Sequence, residues 1–149
     1  MNGSIGGPFL QMAVFCERVL HEKDDVLSAI RIIDRFTHTV SSAEVIMPPL
    51  KLEFSMLISF KSGDAKGKSE LKIRPNAPSG KELPGFSGPI LFEGGERGAN
   101  IIIKLGFEAK EEGVYWFDVI LDEKLITRMS LQVVYQKMQI TSTTAPPGH

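Results

Sequence analysis

The chain has 149 residues, with 17 basic and 18 acidic side chains and a formal net charge of −1. That length suits one domain, and a compact chain of this size buries roughly 70% of its unfolded surface without staples. The near-neutral charge excludes a global field that would draw in nucleic acid or an anionic membrane. A single cysteine, Cys16, excludes an internal disulfide framework.

Residues 1–8 are small, polar and glycine-rich, and 141–149 end in STTAPPGH. Both read as flexible termini around one domain at 9–140. The start MNGSIGGPFLQMAVF lacks a basic segment followed by a sustained apolar run, so no signal peptide is expected. No stretch approaches the ~20 apolar residues of a membrane span. A reducing, cytoplasmic location is expected, with a leaderless export route left open.

Residues 9–20 form a first strand, with Val14 and Cys16 against Ala13 and Phe15. The turn His21-Glu22-Lys23-Asp24-Asp25 leads to 26–36, rich in Ile and Val. Thr37 to Met47 reads as a long connection, with a helical turn around Ser42 to Ile46. Pro48 and Pro49 block a helix ahead of the clearest strand. There Leu50, Leu52, Phe54, Met56, Ile58 and Phe60 alternate with Lys51, Glu53, Ser55, Leu57 and Ser59, one dry face and one wet. Residues 67–74 alternate again, and Pro75 to Pro89 is a second long connection, dense in Pro and Gly. Residues 89–93 and 100–107 are expected to form a hairpin across Gly94-Gly95-Glu96-Arg97-Gly98.

The chain closes on another hairpin. Tyr115, Phe117, Val119 and Leu121 alternate with Val114, Trp116, Asp118 and Ile120. After Asp122-Glu123, Leu125, Thr127, Met129, Leu131, Val133 and Tyr135 alternate with Ile126, Arg128, Ser130, Gln132, Val134 and Gln136. Seven or eight antiparallel strands of this kind predict an all-β, two-sheet sandwich with an immunoglobulin-like Greek key; a closed β-barrel is the alternative. Gly113-Val114-Tyr115 fits the tyrosine corner of immunoglobulin-like domains, with a plain core tyrosine as the other reading.

Cys16-Glu17-Arg18-Val19-Leu20, an acidic turn, Val26-Leu27-Ser28-Ala29-Ile30 and the run Gly113 to Val119 with its final hairpin resemble an uncharacterised family of short bacterial proteins. The likeness covers most of the chain in order, through strand patterns rather than chemical signatures. It implies a β-sandwich and no assigned activity. Asp122-Glu123 stands where such hairpins often carry Asp-Gly.

Catalytic equipment is not evident. Cys16, mid-strand, reads as a small buried hydrophobe, and no serine lies in a Gly-x-Ser-x-Gly elbow. His21, His38 and His149 fall in a turn, a connection and the tail, with no zinc spacing. His21, Glu22, Asp24 and Asp25 lack the alternation of a calcium loop. Glu53, Glu108 and Asp118 fall on wet faces, and the 94–98 segment lacks the Lys-Ser/Thr of a phosphate loop. No enzyme activity, cofactor or metal is expected.

Two surfaces remain. Trp116, Val114 and Ile120, joined by Ile102 and Leu57 and also Ile126 and Val134, are expected to form one apolar patch centred on a tryptophan; the other readings are that the 75–89 or 37–47 segment covers this face, or that the faces are reversed and Trp116 is buried. Lys61, Lys66, Lys68, Lys72, Arg74 and Lys81 form a basic stretch, read as the guard of an edge strand. The expected function is a non-enzymatic protein-binding or self-assembly module, without nucleic acid or membrane. The alternative is a small-ligand or glycan-binding sandwich using the 37–47 and 75–89 loops.

Overall fold

The computed structural model describes residues 3–40 and 46–137, and the alternating segments there become seven strands. They are β1 (Phe9–His21), β2 (Leu27–Ile33), β3 (Arg35–Val40), β4 (Leu50–Asn76), β5 (Phe86–Ala109), β6 (Gly113–Leu121) and β7 (Lys124–Lys137). Among the described residues no helix is long and apolar enough to cross a membrane.

β4 and β5 organise the rest. They pair antiparallel from Leu50↔Ala109 to Ile73↔Phe86. The segments expected as separate strands at 50–60 and 67–74 are one strand, as are those at 89–93 and 100–107. The expected hairpin across Gly94 to Gly98 is instead a bend within β5. At that bend the ladder slips, and Gly63 faces Gly95. Both sit at positive φ, 59° and 63°, where a Cβ would cost about 1–2 kcal/mol. A Cβ on Gly63 would also collide with the Gly6 carbonyl. Ser62 is fully buried there, and its hydroxyl donates to the Arg97 carbonyl at 2.8 Å.

The bend folds one sheet into two leaves. One holds β2, β1, the first half of β4 and the second half of β5. The other holds the first half of β5, the second half of β4, then β6, β7 and β3. Aromatic rings lock their inner faces together edge to face. Phe15 meets Phe117 at 5.0 Å, Phe107 meets Tyr115 at 5.0 Å, and Phe60 meets Phe92 at 5.8 Å between ring centroids. Each such pair adds roughly 0.5–1.5 kcal/mol beyond the area it buries.

Several expectations shift on this frame. Thr37 to Val40, read as connection, lies in β3, which pairs with β7 in parallel rather than antiparallel. Most of the helical turn expected at Ser42 to Ile46 falls outside the described residues, as does the 141–149 tail. The second connection shortens to 77–85. Pro89 is accommodated because β5 pairs only with β4 among the described residues, and proline is tolerated on an edge strand. On β4, Ser55 and Leu57, expected wet, are buried, because β1 and β5 flank them on both sides. On β7 a bulge between Val119↔Thr127 and Ile120↔Leu125 reverses the alternation, so Ile126 packs on the core and Leu125 is exposed.

Tyr115 is buried, and its hydroxyl donates to the Glu111 carbonyl at 2.8 Å and accepts from the Glu111 N–H at 3.1 Å. That is the tyrosine corner, the one of the two sequence readings that these bonds select. With two packed leaves and, among the described residues, unpaired edges rather than closure, the fold is an immunoglobulin-like β-sandwich and not a barrel. Burial pushes the Tyr115 phenol above its ordinary value near 10. Residues 3–8, expected as a loose start, meet the bend at Asp64. Its carboxylate accepts from the Gly6 N–H at 2.6 Å, the Ile5 N–H at 3.3 Å and the Ser4 hydroxyl. The Ser4 bond, then the Gly6 bond, hold the Asp64 carboxyl below its usual range.

Tyr115→Phe is expected to lower unfolding free energy by about 1–3 kcal/mol in urea titration, since it orphans two backbone groups at the corner. The phenol's raised value means its stabilisation is complete below pH 10 and fades as pH rises through the folded value. Asp64 behaves oppositely. Its contribution is present above the ordinary carboxylate value and lost as pH falls through the lowered one. The Gly6 amide resonance should therefore titrate with a midpoint below that of an unperturbed aspartate.

Candidate functional site

The outer face of β6 carries the most distinctive chemistry. Tyr115, Phe117 and Val119 point into the core, so Val114, Trp116 and Asp118 point out. Trp116 is 39% exposed and Val114 37%. Regular pairing from the Asp122-Glu123 turn would set Thr127 opposite Asp118; the β7 bulge moves Arg128 there instead. The Arg128 Nε donates to Asp118 Oδ1 at 2.7 Å, and its guanidinium lies over the Trp116 ring, 5.0 Å from the centroid. Asn76 Nδ2 donates to Asp118 Oδ2 at 3.5 Å. Asp118 thus pairs with the same guanidinium that lies over the indole. At an exposed site such a stacked cation contributes roughly 0.5–1 kcal/mol.

Beside this triad the face sinks into a concavity of about 700 Å³, lined by charged residues of both signs. Glu70, Lys72 and Arg74 share one row of β4, and Asp118, Asp122 and Glu123 complete the charged lining, with Ile120 and Leu125 as the apolar part. Asp122 and Glu123 both have positive φ, 46° and 67°, as a two-residue type I′ turn requires. The Asp122 carboxylate accepts from the Glu70 N–H at 2.8 Å, and its own N–H donates to the Glu70 carbonyl at 2.9 Å. The turn is thereby anchored to β4, which fixes the rim.

The five residues expected to share one patch do not meet. Trp116 and Val114 are exposed neighbours. Ile120 shares their face but is buried at 8% exposure in the floor of the concavity. Leu57 and Ile102 pair with each other on the opposite leaf, whose outer face points away; Leu57 is buried and Ile102 exposed. Of the two residues expected to join them, Ile126 turns inward and Val134 is half-buried. Arg128 was not singled out by sequence, because nothing in the strand pattern locates a bulge.

The basic stretch does not guard one edge as a unit. Lys72 and Arg74 lie where β4 is flanked by both β5 and β6, and Arg74 pairs with Glu82 at 3.6 Å, whereas Lys66 and Lys68 precede the β6 ladder, which starts at Leu71. Cys16 is fully buried, and burial pushes its thiol up, away from nucleophile chemistry. His21 contacts Asp25 at 3.1 Å in an exposed turn, and His38 stacks on Tyr135. His149 lies outside the described residues. Among the described residues no three of His, Cys, Asp and Glu gather closely enough to share a metal ion.

A family model described as a family of unknown function, DUF6941, matches residues 11–134. No curated protein matches the chain. Among solved structures, a β-glucosidase from Listeria innocua in complex with glucose superposes with a TM-score of 0.50 at 8% identity, over 85% of this chain and 17% of that one. An immunoglobulin-like protein from Pseudomonas aeruginosa superposes at 0.45 and 15% identity, over 88% and 99% of the two chains. The CARDB domain of a Pyrococcus furiosus protein, in complex with di-metal ions, does so at 0.42 and 11%, again over 88% and 99%. At these identities the likeness is one of fold, and the chain spans only 17% of the glucosidase's length.

Trp116 is the only tryptophan in the chain, so its fluorescence reports this face directly. Arg128→Ala is expected to uncover the indole, increasing quenching by acrylamide, while stability falls by no more than about 1–2 kcal/mol.

Proposed function

We propose, on the premise that the chain belongs to the DUF6941 family of unknown function, that it is a non-enzymatic binding module that meets a protein partner on the outer face of β6 and β7. One observation carries this reading: Trp116 is exposed and stacked under Arg128, which Asp118 pairs. Tryptophan and arginine are the residue types that most often anchor protein interfaces. An anchor ordered in advance loses little freedom on binding. Val114 beside it extends the apolar contact. Around it Asp118 pairs with Arg128, Arg74 with Glu82, and Asp122 accepts from the Glu70 N–H.

A small polar ligand in the neighbouring concavity is the second reading, favoured by a lining that joins Lys72 and Arg74 with Glu70, Asp122 and Glu123. It moves the ligand site from the 37–47 and 75–89 loops to the sheet face. A compound that binds there raises the melting temperature in a thermal-shift screen of sugars, nucleotides and amino acids. Lys72→Ala removes that rise.

For the leading reading, wild-type and Trp116→Asp chains serve as baits against extract of the native cell. A partner held by the wild type and lost by the variant, with the variant still folded and its unfolding free energy lowered by no more than about 1–2 kcal/mol, is the expected result. Equal recovery by both baits rejects the Trp116 face as the contact.

A further inference from the structure

The second half of β5, Gly98 to Ala109, pairs with β4 on one side and with no other strand among the described residues. Its other side presents backbone N–H and C=O groups, a template for one more strand. From Ala99 to Ala109 there is no proline to blunt it. Its inward row, Ile101, Ile103, Leu105 and Phe107, is only half-buried, whereas Met56 and Ile58 on adjacent β4 are fully buried. The sandwich is thus incompletely covered along this edge.

The outward row runs Asn100, Ile102, Lys104, Gly106, Glu108, all exposed. Lys104 and Glu108 carry opposite charges on either side of Gly106, and neither has an ion-pair partner among the described residues. When a strand pairs antiparallel with its own copy about a two-fold axis, residues equally far before and after the axis face each other. An axis at Lys104 sets like charges opposite, and one at Phe107 sets Lys104 against Lys110 of the second copy. An axis at Ile103 or Leu105 leaves Lys104 against Ile102 or Gly106. With the axis at Gly106, Lys104 faces Glu108 of the second copy in both directions, and Leu105 faces Phe107. A side chain built on Gly106 meets nothing within 4 Å, so the axis position is open.

We propose that two copies of this chain associate by antiparallel pairing of their β5 edges about Gly106, with reciprocal Lys104–Glu108 pairs setting the register. The edge lies on the leaf opposite Trp116, so this dimer leaves the β6–β7 face free and stands apart from the partner contact above. Covering the half-buried row supplies apolar burial, and opposite charges directly across strands favour one register over the others.

Sedimentation equilibrium of the full chain is expected to give a dimer, twice 16.4 kDa. Lys104→Glu should raise the dissociation constant at least about tenfold by setting like charges opposite. Glu108→Lys should do the same, and the two together should restore the dimer by exchanging the pairs. Gly106→Cys should link into a disulfide dimer under mild oxidation. Trp116→Asp should leave the mass unchanged. A monomer throughout the concentration range overturns the proposal, as does a dimer indifferent to both charge reversals. A dimer lost on Trp116→Asp overturns it too, by placing the contact on the other leaf.

Discussion

The bend at Gly63 and Gly95 is the constraint on which the rest of this molecule depends. Without it, β4 and β5 would be a long, flat, two-stranded ribbon with nothing to cover either face. Two glycines facing each other at positive φ let both strands turn at one level, and the ribbon doubles over itself. The inner rows of both halves then close on the same aromatic cluster. Ser62 and Asp64 show how tightly that corner is bound, one by its buried hydroxyl and the other by the N-terminal segment it gathers.

Doubling one sheet also decides what the two outer faces are. Each is the reverse side of a core-facing strand, and they point in opposite directions. The face behind Tyr115 and Phe117 carries Trp116, Arg128 and Asp118 beside a concavity of mixed charge. The face behind Met56 and Ile58 carries Leu57 and Ile102 and runs out to the edge of β5 that pairs with no further strand among the described residues. A domain of this kind presents two separate chances for contact, one through side chains and one through backbone. Its family is of unknown function, and its structural likenesses are of fold. Fold of this sort hosts many unrelated functions, so the site chemistry must carry any functional reading.

The Trp116 site illustrates how small irregularities place functional groups. Asp118 and Arg128 would not oppose each other in a regular hairpin. One extra residue in β7 brings them together and at the same time turns Ile126 into the core. The result is an arginine fixed in two directions, by a carboxylate at its side and an indole beneath it. Bulges commonly re-aim side chains in this manner.

Period-two alternation by itself determined the all-β class, the β1–β2 and β6–β7 hairpins, the dry face of β4 and the inward side of Tyr115. Those features rest on neighbours close in sequence, or on which side of a strand a residue projects. Only tertiary structure decided that four expected strands are two, that Leu57 is buried while Trp116 is not, and that Leu57 and Ile102 lie on the far leaf. Parity tells which side of its own strand a residue takes. Whether that side is covered depends on strands distant in sequence, and a bulge or a glycine bend changes the answer without disturbing the pattern that announced the strand.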